Sequence, residues 1–197
     1  GDCGVGNRVL NTLESDTIID AVCFNSCNNC ISIGQSNQLE QTVSFPQGWS
    51  IFSFFVEPKN KYLDSILAPL SDDIIIVKDY NGNVFIPNLN FNAIGELNNS
   101  EGYQIKMSNG NSLTIYGDYI FLDNHPIELP LGWYIMGYLK MYPTPIDILL
   151  SEIQESIVIA KDGQGNAYLP TWNYNAIGNA VPGQGYQIKT NSSVVLW

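Results

Sequence analysis

The sequence predicts a mainly β (α+β) protein: two tandem copies of a small antiparallel-rich domain, each with one short helix, after a Cys-rich N-terminal arm. The first observation is an internal repeat, in which FPQGWSIFSFF (residues 45–55) matches LPLGWYIMGYL (129–139) and GYQIKM matches GYQIKT. The second is the offset, which is 84 residues at Trp49/Trp133 and 83 from Lys78/Lys161 onward. This period is too long for a solenoid and suits a small domain. The predicted boundaries are an arm at 1–40, repeat 1 at 41–117, a linker at 118–126 and repeat 2 at 127–197.

Each copy begins with a β-branched and aromatic segment around Gly-Trp, which is bounded by Pro-x-Gly and predicts a strand. A helix should follow. In the second copy Thr144 is a predicted N-cap and Pro145 the first helical residue. In the first copy Pro69 should shorten or break the helix near its end. The apolar positions at helical spacing in the second copy are Ile146, Leu149, Leu150 and Ile153.

A hairpin is the next predicted element, at residues 74–87 in the first copy. IIIVKD and VFIP flank the turn DYNGN, and IVIAKD and AYLP flank DGQGN in the second copy. Asn and Gly suit such turns because they tolerate positive φ. Asp79 and Asp162 each begin a turn, where an Asp side chain bonds nearby backbone N–H groups. NFNAIG (90–95) and NYNAIG (173–178) are predicted ordered loops, repeated because the whole domain is, and GYQIK is a further strand.

The aromatic residues fall into two groups. Trp49/Trp133 and Tyr103/Tyr186 lie inside strand patterns of both copies, which favours the core. Trp172 differs, because its counterpart is Leu89 and it lies in a loop. The residues predicted to contact a glycan or a neighbouring chain are Trp172, Asn173, Tyr174 and Asn175.

Composition limits the partners. The net charge is −11, the pI about 4.2 and the charged fraction 14%. Such a surface repels polyanions, so we expect no nucleic-acid partner. No apolar run approaches the roughly 18 residues of a membrane helix, so we expect no membrane insertion.

All four cysteines lie in the first 30 residues. Two disulfides are the favoured interpretation, because the composition suits an oxidising compartment. A four-thiolate zinc site and reduced structural cysteines are the alternatives, and the C-x3-C-x2-C spacing is irregular for zinc. Four cysteines allow three pairings. They are Cys3, Cys23, Cys27 and Cys30.

Catalytic signals are absent from the sequence, so we expect no enzyme, no cofactor and no catalytic or metal-binding residue. The single histidine, His125, lies in the linker just before Pro126, which makes it a poor candidate for the base of a hydrolytic triad. A hand-type calcium loop counted from Asp79 or Asp162 would need an acid at its twelfth position, which is Asn90 or Asn173.

The order P-x-G-W, K-D-x-x-G, N-x-N-A-I-G and G-Y-Q-I-K resembles a repeat domain of secreted and cell-surface Bacteroidota proteins, often exported by the type IX system. The resemblance covers about residues 43–117 and 127–197. It implies an extracellular or cell-surface module, not an enzyme class.

Two functions follow as expectations. The first is a secreted structural subunit that self-assembles into a filament, sheath or surface layer. The alternative is a cell-surface adhesin or carbohydrate-binding module that contacts surface glycans. For the first, the stretch TIIDAVCF (17–24) is a candidate donor strand that adds to a sheet of the neighbouring subunit, or folds back on its own repeat. Its donor residues are Thr17, Ile18, Ile19 and Val22.

Overall fold

The structure is a computed structural model that describes residues 22–23, 30–31, 38–120 and 125–197. Residues 1–38 and 39–197 are separate units. In the first unit, β1 (Val22–Cys23) pairs antiparallel with β2 (Cys30–Ile31), with Cys23 opposite Cys30. The predictions for the other named residues of the arm lie outside the described residues. These are Cys3, Thr17, Ile18, Ile19 and Cys27.

The first repeat forms a five-stranded antiparallel sheet of order β4-β9-β6-β7-β8 and a three-stranded sheet of order β3-β10-β5. A short helix α1 and two 3₁₀ helices connect the strands. The elements are β3 (Gln38–Phe45), β4 (Gly48–Phe52), β5 (Val56–Glu57), α1 (Leu63–Leu67), a 3₁₀ helix (Ala68–Leu70), β6 (Ile74–Lys78), β7 (Val84–Ile86), a 3₁₀ helix (Pro87–Leu89), β8 (Phe91–Asn92), β9 (Tyr103–Met107) and β10 (Asn111–Tyr119).

The second repeat has the same plan, with a five-stranded antiparallel sheet of order β12-β18-β14-β15-β16 and the smaller sheets β11-β19 and β13-β17. The predicted mainly β fold with one short helix in each tandem copy is therefore confirmed. The elements are β11 (Ile127–Leu129), β12 (Gly132–Met136), β13 (Thr144–Pro145), α2 (Ile146–Leu149), a 3₁₀ helix (Ser151–Ser156), β14 (Ile157–Lys161), β15 (Ala167–Leu169), a 3₁₀ helix (Pro170–Trp172), β16 (Tyr174–Asn175), β17 (Asn179–Ala180), β18 (Tyr186–Thr190) and β19 (Val194–Leu196).

Most local predictions are confirmed. The hairpin at 74–87 is present, with Lys78 opposite Val84. Helix α1 gives way to a 3₁₀ turn that contains Pro69. The predicted N-cap is wrong, because Thr144 lies in β13 opposite Ala180 and makes no side-chain cap. Its buried hydroxyl instead lies 2.8 Å from the Tyr138 hydroxyl, so the side chain serves the core rather than the helix end.

Each repeat has its own hydrophobic core. Period-two alternation in GYQIK directs Tyr103 and Ile105 into the first core and Tyr186 and Ile188 into the second. The predicted core position of the two tyrosines is confirmed. The helices close the cores with leucine and isoleucine side chains, as predicted for the second copy. These are Leu63, Ile66 and Leu67 in the first repeat and Ile146, Leu150 and Ile153 in the second.

The repeated hexapeptide N-x-N-A-I-G forms an edge of the five-stranded sheet and is hydrogen-bonded to the start of the helix that precedes it in the chain. Its first Asn is left-handed in both copies, with φ of 49° at Asn90 and 50° at Asn173. The next two residues form the short edge strands β8 and β16, so the loop is more regular than predicted. The glycine carbonyl then accepts the first helical N–H, at 2.9 Å from Leu63 in one copy and 2.9 Å from Ile146 in the other. The hexapeptide is therefore accounted for by the fold of each domain.

The two repeats meet in reciprocal contacts. Gly102 of repeat 1 and Gly185 of repeat 2 are equivalent positions, and their backbones touch. A contact from residue i of one copy to residue j of the other is matched by the contact from j to i, which defines a pseudo-two-fold axis. The four backbone hydrogen bonds are Gly102 N to Ile135 O (2.8 Å), Gly185 N to Ile51 O (3.2 Å), Gly137 N to Ser100 O (2.9 Å) and Ser53 N to Gly183 O (3.2 Å).

Candidate functional site

Trp49 and Trp133 are at the surface, and their predicted core position is wrong. They are 47% and 48% exposed. The cause is the pleat, since alternate side chains of a strand point to opposite faces. Phe52 of β4 faces the first core, whereas Trp49 lies on the outer face. The equivalent Trp133 does the same in β12.

Two lysines accompany each tryptophan. Lys106 lies directly opposite Trp49 in the sheet, and Lys189 lies opposite Trp133. Ammonium groups at less than about 6 Å from a ring centroid gain cation–π attraction. The ammonium-to-centroid distances are 5.4 Å for Lys78 and 5.7 Å for Lys106 at Trp49, and 5.5 Å for Lys161 and 5.9 Å for Lys189 at Trp133.

A groove runs across the pseudo-two-fold axis between the tryptophans, and we call it the axial groove. It consists of two cavities that share Gln104, Lys161 and Gln187. The cavity beside Trp49 has a volume of about 430 Å³ and the one beside Trp133 about 340 Å³. The residues of both repeats contribute to each cavity, so the groove exists only where the repeats are docked.

The two halves of the axial groove differ at two pairs of equivalent positions. Beside Trp133, Tyr80 packs on Tyr134 with ring centroids 4.5 Å apart. The equivalent residues beside Trp49 are Gly163 and Ser50, which leave space where two rings stand in the other half. The Ser50 hydroxyl oxygen is buried and has no hydrogen-bond partner among the described residues.

The two carboxylates at the groove have structural partners. Asp79 accepts hydrogen bonds from the backbone N (2.8 Å) and side-chain N (2.7 Å) of Asn83, and Asp162 does so from Asn166 at the same distances. The predicted turn role of both residues is confirmed. These hydrogen bonds hold both side chains in the hairpin turns, so the groove contains two carboxylates as well as lysines.

Burial also affects two groups near the axis. Burial raises the pKa of the Glu101 carboxyl, and the Asn98 side chain that donates to it opposes the shift. Burial likewise raises the pKa of the Tyr134 hydroxyl, so this side chain is neutral at ordinary pH. Both shifts follow from desolvation of the charged form.

The predicted contact residues are not part of the axial groove. Tyr174 lies in β16, at the edge of the second sheet opposite to β12, and four strand spacings of about 4.8 Å put these edges roughly 19 Å apart. Trp172 and Tyr174 are 78% and 51% exposed. Asn173 supplies the left-handed turn, and Asn175 accepts a hydrogen bond from Gly178 N at 2.9 Å. That these residues contact a ligand stays a prediction.

The residues in the groove and beside its tryptophans that sequence reasoning missed are the outward positions of GYQIK and the lysine of K-D. The signal was the alternation of GYQIK, in which Gln and Lys occupy alternate positions to the Tyr and Ile that pack in the core. Both copies retain them. These residues are Lys78, Gln104, Lys106, Lys161, Gln187 and Lys189.

The axial groove presents aromatic rings, amides and ammonium groups. Among the described residues, no three His, Cys, Asp or Glu side chains are grouped as metal ligands. Within the same part of the chain, no helix has the length and hydropathy to cross a membrane. Comparison of the chain with family models, curated proteins and solved structures finds no match.

Proposed function

We propose that this protein is a non-enzymatic binding module, extracellular or at the cell surface, that holds a carbohydrate chain in the axial groove. The observation that carries the proposal is the pair of half-exposed tryptophans at equivalent positions, with two glutamines between them. A Trp ring offers a flat apolar surface on which a sugar ring can stack. Gln amides offer both a donor and an acceptor for sugar hydroxyls.

The surroundings of the tryptophans support a binding role over a packing role. A small protein gains stability by burying a Trp side chain, so exposing two at equivalent places has a cost of about 1–2 kcal/mol each. The groove is also open, and the amides of Gln104 and Gln187 line both of its cavities. Ligand sites combine such an aromatic surface with a few polar groups that fix orientation.

The test is a glycan-binding measurement on the whole chain and on Trp49→Ala and Trp133→Ala. A glycan array selects ligands, and titration calorimetry measures affinity. Each variant should bind about tenfold more weakly, which corresponds to one lost stacking contact of about 1.4 kcal/mol. Tyr116→Ala is the matched control, because Tyr116 is 56% exposed on β10 and is not a groove residue.

Trp172→Ala separates the groove from the loop site predicted from sequence. If Trp172→Ala abolishes binding and both groove variants bind normally, the ligand site is the loop and the proposal is wrong. If no glycan binds the unmodified chain, the proposal also fails.

A self-assembling subunit is the second candidate function, and one observation favours it. The first repeat has the three-stranded sheet β3-β10-β5, whereas its counterpart β11-β19 has two strands. A strand from a neighbouring copy could add beside β19, where Val195 and Trp197 are 41% and 70% exposed. Deleting residues 1–22 and measuring mass by light scattering tests whether the arm is that strand. Equal assembly of the truncated chain would exclude it.

A further inference from the structure

We propose that the carbohydrate held in the axial groove is a polyanion, whose carboxylate or sulfate groups bind the lysines at the two tryptophans. This inference rests on the proposed function and specifies its ligand. Binding would combine stacking of sugar rings on Trp49 and Trp133 with ion pairs to the lysines on the same face of each sheet.

The distribution of charge carries the inference. The chain has eight Lys and Arg residues against nineteen Asp and Glu. Four of the eight lie within 6 Å of the two tryptophan ring centroids. On an acidic protein, this concentration makes the surface around the two tryptophans, with the groove between them, the place where an anion is attracted.

The carboxylates at the groove offset only part of this attraction. Asp79 and Asp162 are each 8% exposed and are hydrogen-bonded within their turns. The four lysines at the two tryptophans therefore outnumber the two carboxylates. Lys78, Lys106 and Lys161 are themselves half-buried, so their ammonium groups are screened less by salt than fully exposed charges.

The repeat of the site suits a repeating ligand. The same constellation of one Trp, two Lys and one Gln occurs on each side of the axis. A polymer with an anionic group on every sugar can occupy both halves at once, and the second contact is then intramolecular. A single small anion would use only half of the groove.

The experiment compares polygalacturonate with its fully methyl-esterified form, which keeps the backbone and removes the charge. A sulfated galactan and the corresponding unsulfated galactan distinguish sulfate from carboxylate. Affinity should fall at least about tenfold on esterification or loss of sulfate. The affinity for the charged polymer should also fall as salt rises from about 0.05 M to about 0.5 M.

Lysine variants locate the effect. Lys78→Gln and Lys161→Gln should each weaken binding of the charged polymer about fivefold, as for one exposed ion pair of about 1 kcal/mol. They should leave binding of the neutral form unchanged. Lys140→Gln is the matched control, because Lys140 lies 5.8 Å from the Tyr142 ring and outside the groove. Its affinity should equal that of the unmodified chain.

The outcomes separate this inference from the proposed function. Equal binding of charged and neutral polymers, still lost in Trp49→Ala, would overturn the polyanion and keep the glycan site. Poly-glutamate is a further probe. If poly-glutamate binds as tightly as polygalacturonate and Trp49→Ala has no effect on either, the groove is a general polyanion site. The proposal that it binds carbohydrate is then wrong. Absence of all binding overturns both.

Discussion

Gly102 lies beside the pseudo-two-fold axis, next to its equivalent Gly185, and we predict that Gly102→Ala destabilises the docking of the two repeats. An added Cβ would be 2.9 Å from both Ile135 Cγ2 and Met136 O, and 3.2 Å from Gly185 Cα. Two of these three atoms belong to backbone, which cannot rotate away. The repeats must therefore separate locally, and the hydrogen bond from Gly102 N to Ile135 O, now 2.8 Å, would lengthen.

The expected cost combines two effects. Overpacking a close contact costs about 1–3 kcal/mol. Weakening one or two adjoining hydrogen bonds adds about 1 kcal/mol. We therefore expect the free energy of unfolding to fall by about 2–4 kcal/mol, and Tm by about 4–16 °C for a chain of this size. Urea titration followed by tryptophan fluorescence measures the first, and calorimetry the second.

Gly110→Ala is the matched control. A Cβ at Gly110 would meet its nearest atom at 3.5 Å, an ordinary contact, and its φ is not positive. Its unfolding free energy should stay within about 0.5 kcal/mol of the unmodified chain. Gly185→Ala should behave like Gly102→Ala, and the double variant should cost less than the sum of both, because the same interface is already open. If Gly102→Ala matches Gly110→Ala in stability, close packing at Gly102 does not stabilise the docking of the repeats.

Two further predictions concern buried hydroxyl groups. Ser53→Ala should lower the free energy of unfolding by about 2–3 kcal/mol in urea titration, because the fully buried Ser53 hydroxyl donates to Gln184 O (2.7 Å) and accepts from Tyr138 N (2.9 Å); a loss below about 0.5 kcal/mol would contradict this. Burial raises the pKa of Tyr186 to about 12, whereas an unfolded tyrosine titrates near 10. As pH rises, Tyr186 therefore loses its proton first in the unfolded state. Its contribution to the free energy of unfolding should be constant below about pH 10 and fall by about 1.4 kcal/mol per pH unit between about pH 10 and 12. Tyr186→Phe should reduce that slope in urea titrations at several pH values, and an unchanged slope would exclude this tyrosine as the cause.

The fold within each repeat was predictable because its signals are local. Pro and Gly mark the ends of strands, Asn and Gly mark the turns, and Pro69 marks the end of a helix. Thr144 shows the limit of this reasoning. A Thr-Pro pair before an apolar helical pattern is a typical N-cap, but pairing with Ala180 and the nearby Tyr138 hydroxyl hold Thr144 in a strand. Tertiary contacts outweighed the local preference.

The site was less predictable because it depends on how the repeats dock. Strand alternation in the sequence is enough to place Gln104 and Lys106 on the sheet face opposite to the one that carries Tyr103 and Ile105. It could not show that Trp49 faces outward, since a strand of five residues leaves either face possible. The reciprocal contacts and the groove cannot be predicted from the pattern of one repeat, because they join residues of different copies. Gly102 and Ile135, for example, are 33 positions apart.

The exchange of Tyr80–Tyr134 for Gly163–Ser50 has a consequence for direction. Two identical chains around a true two-fold axis would carry the same pair on both sides, so either both halves would hold rings or neither would. Joining the copies in one polypeptide removes that restriction, and the halves of the groove are free to specialise. A sugar polymer has a reducing and a non-reducing end. A symmetric cleft would accept it in both orientations equally, whereas a cleft that is wider at Trp49 and ring-lined at Trp133 can distinguish head from tail.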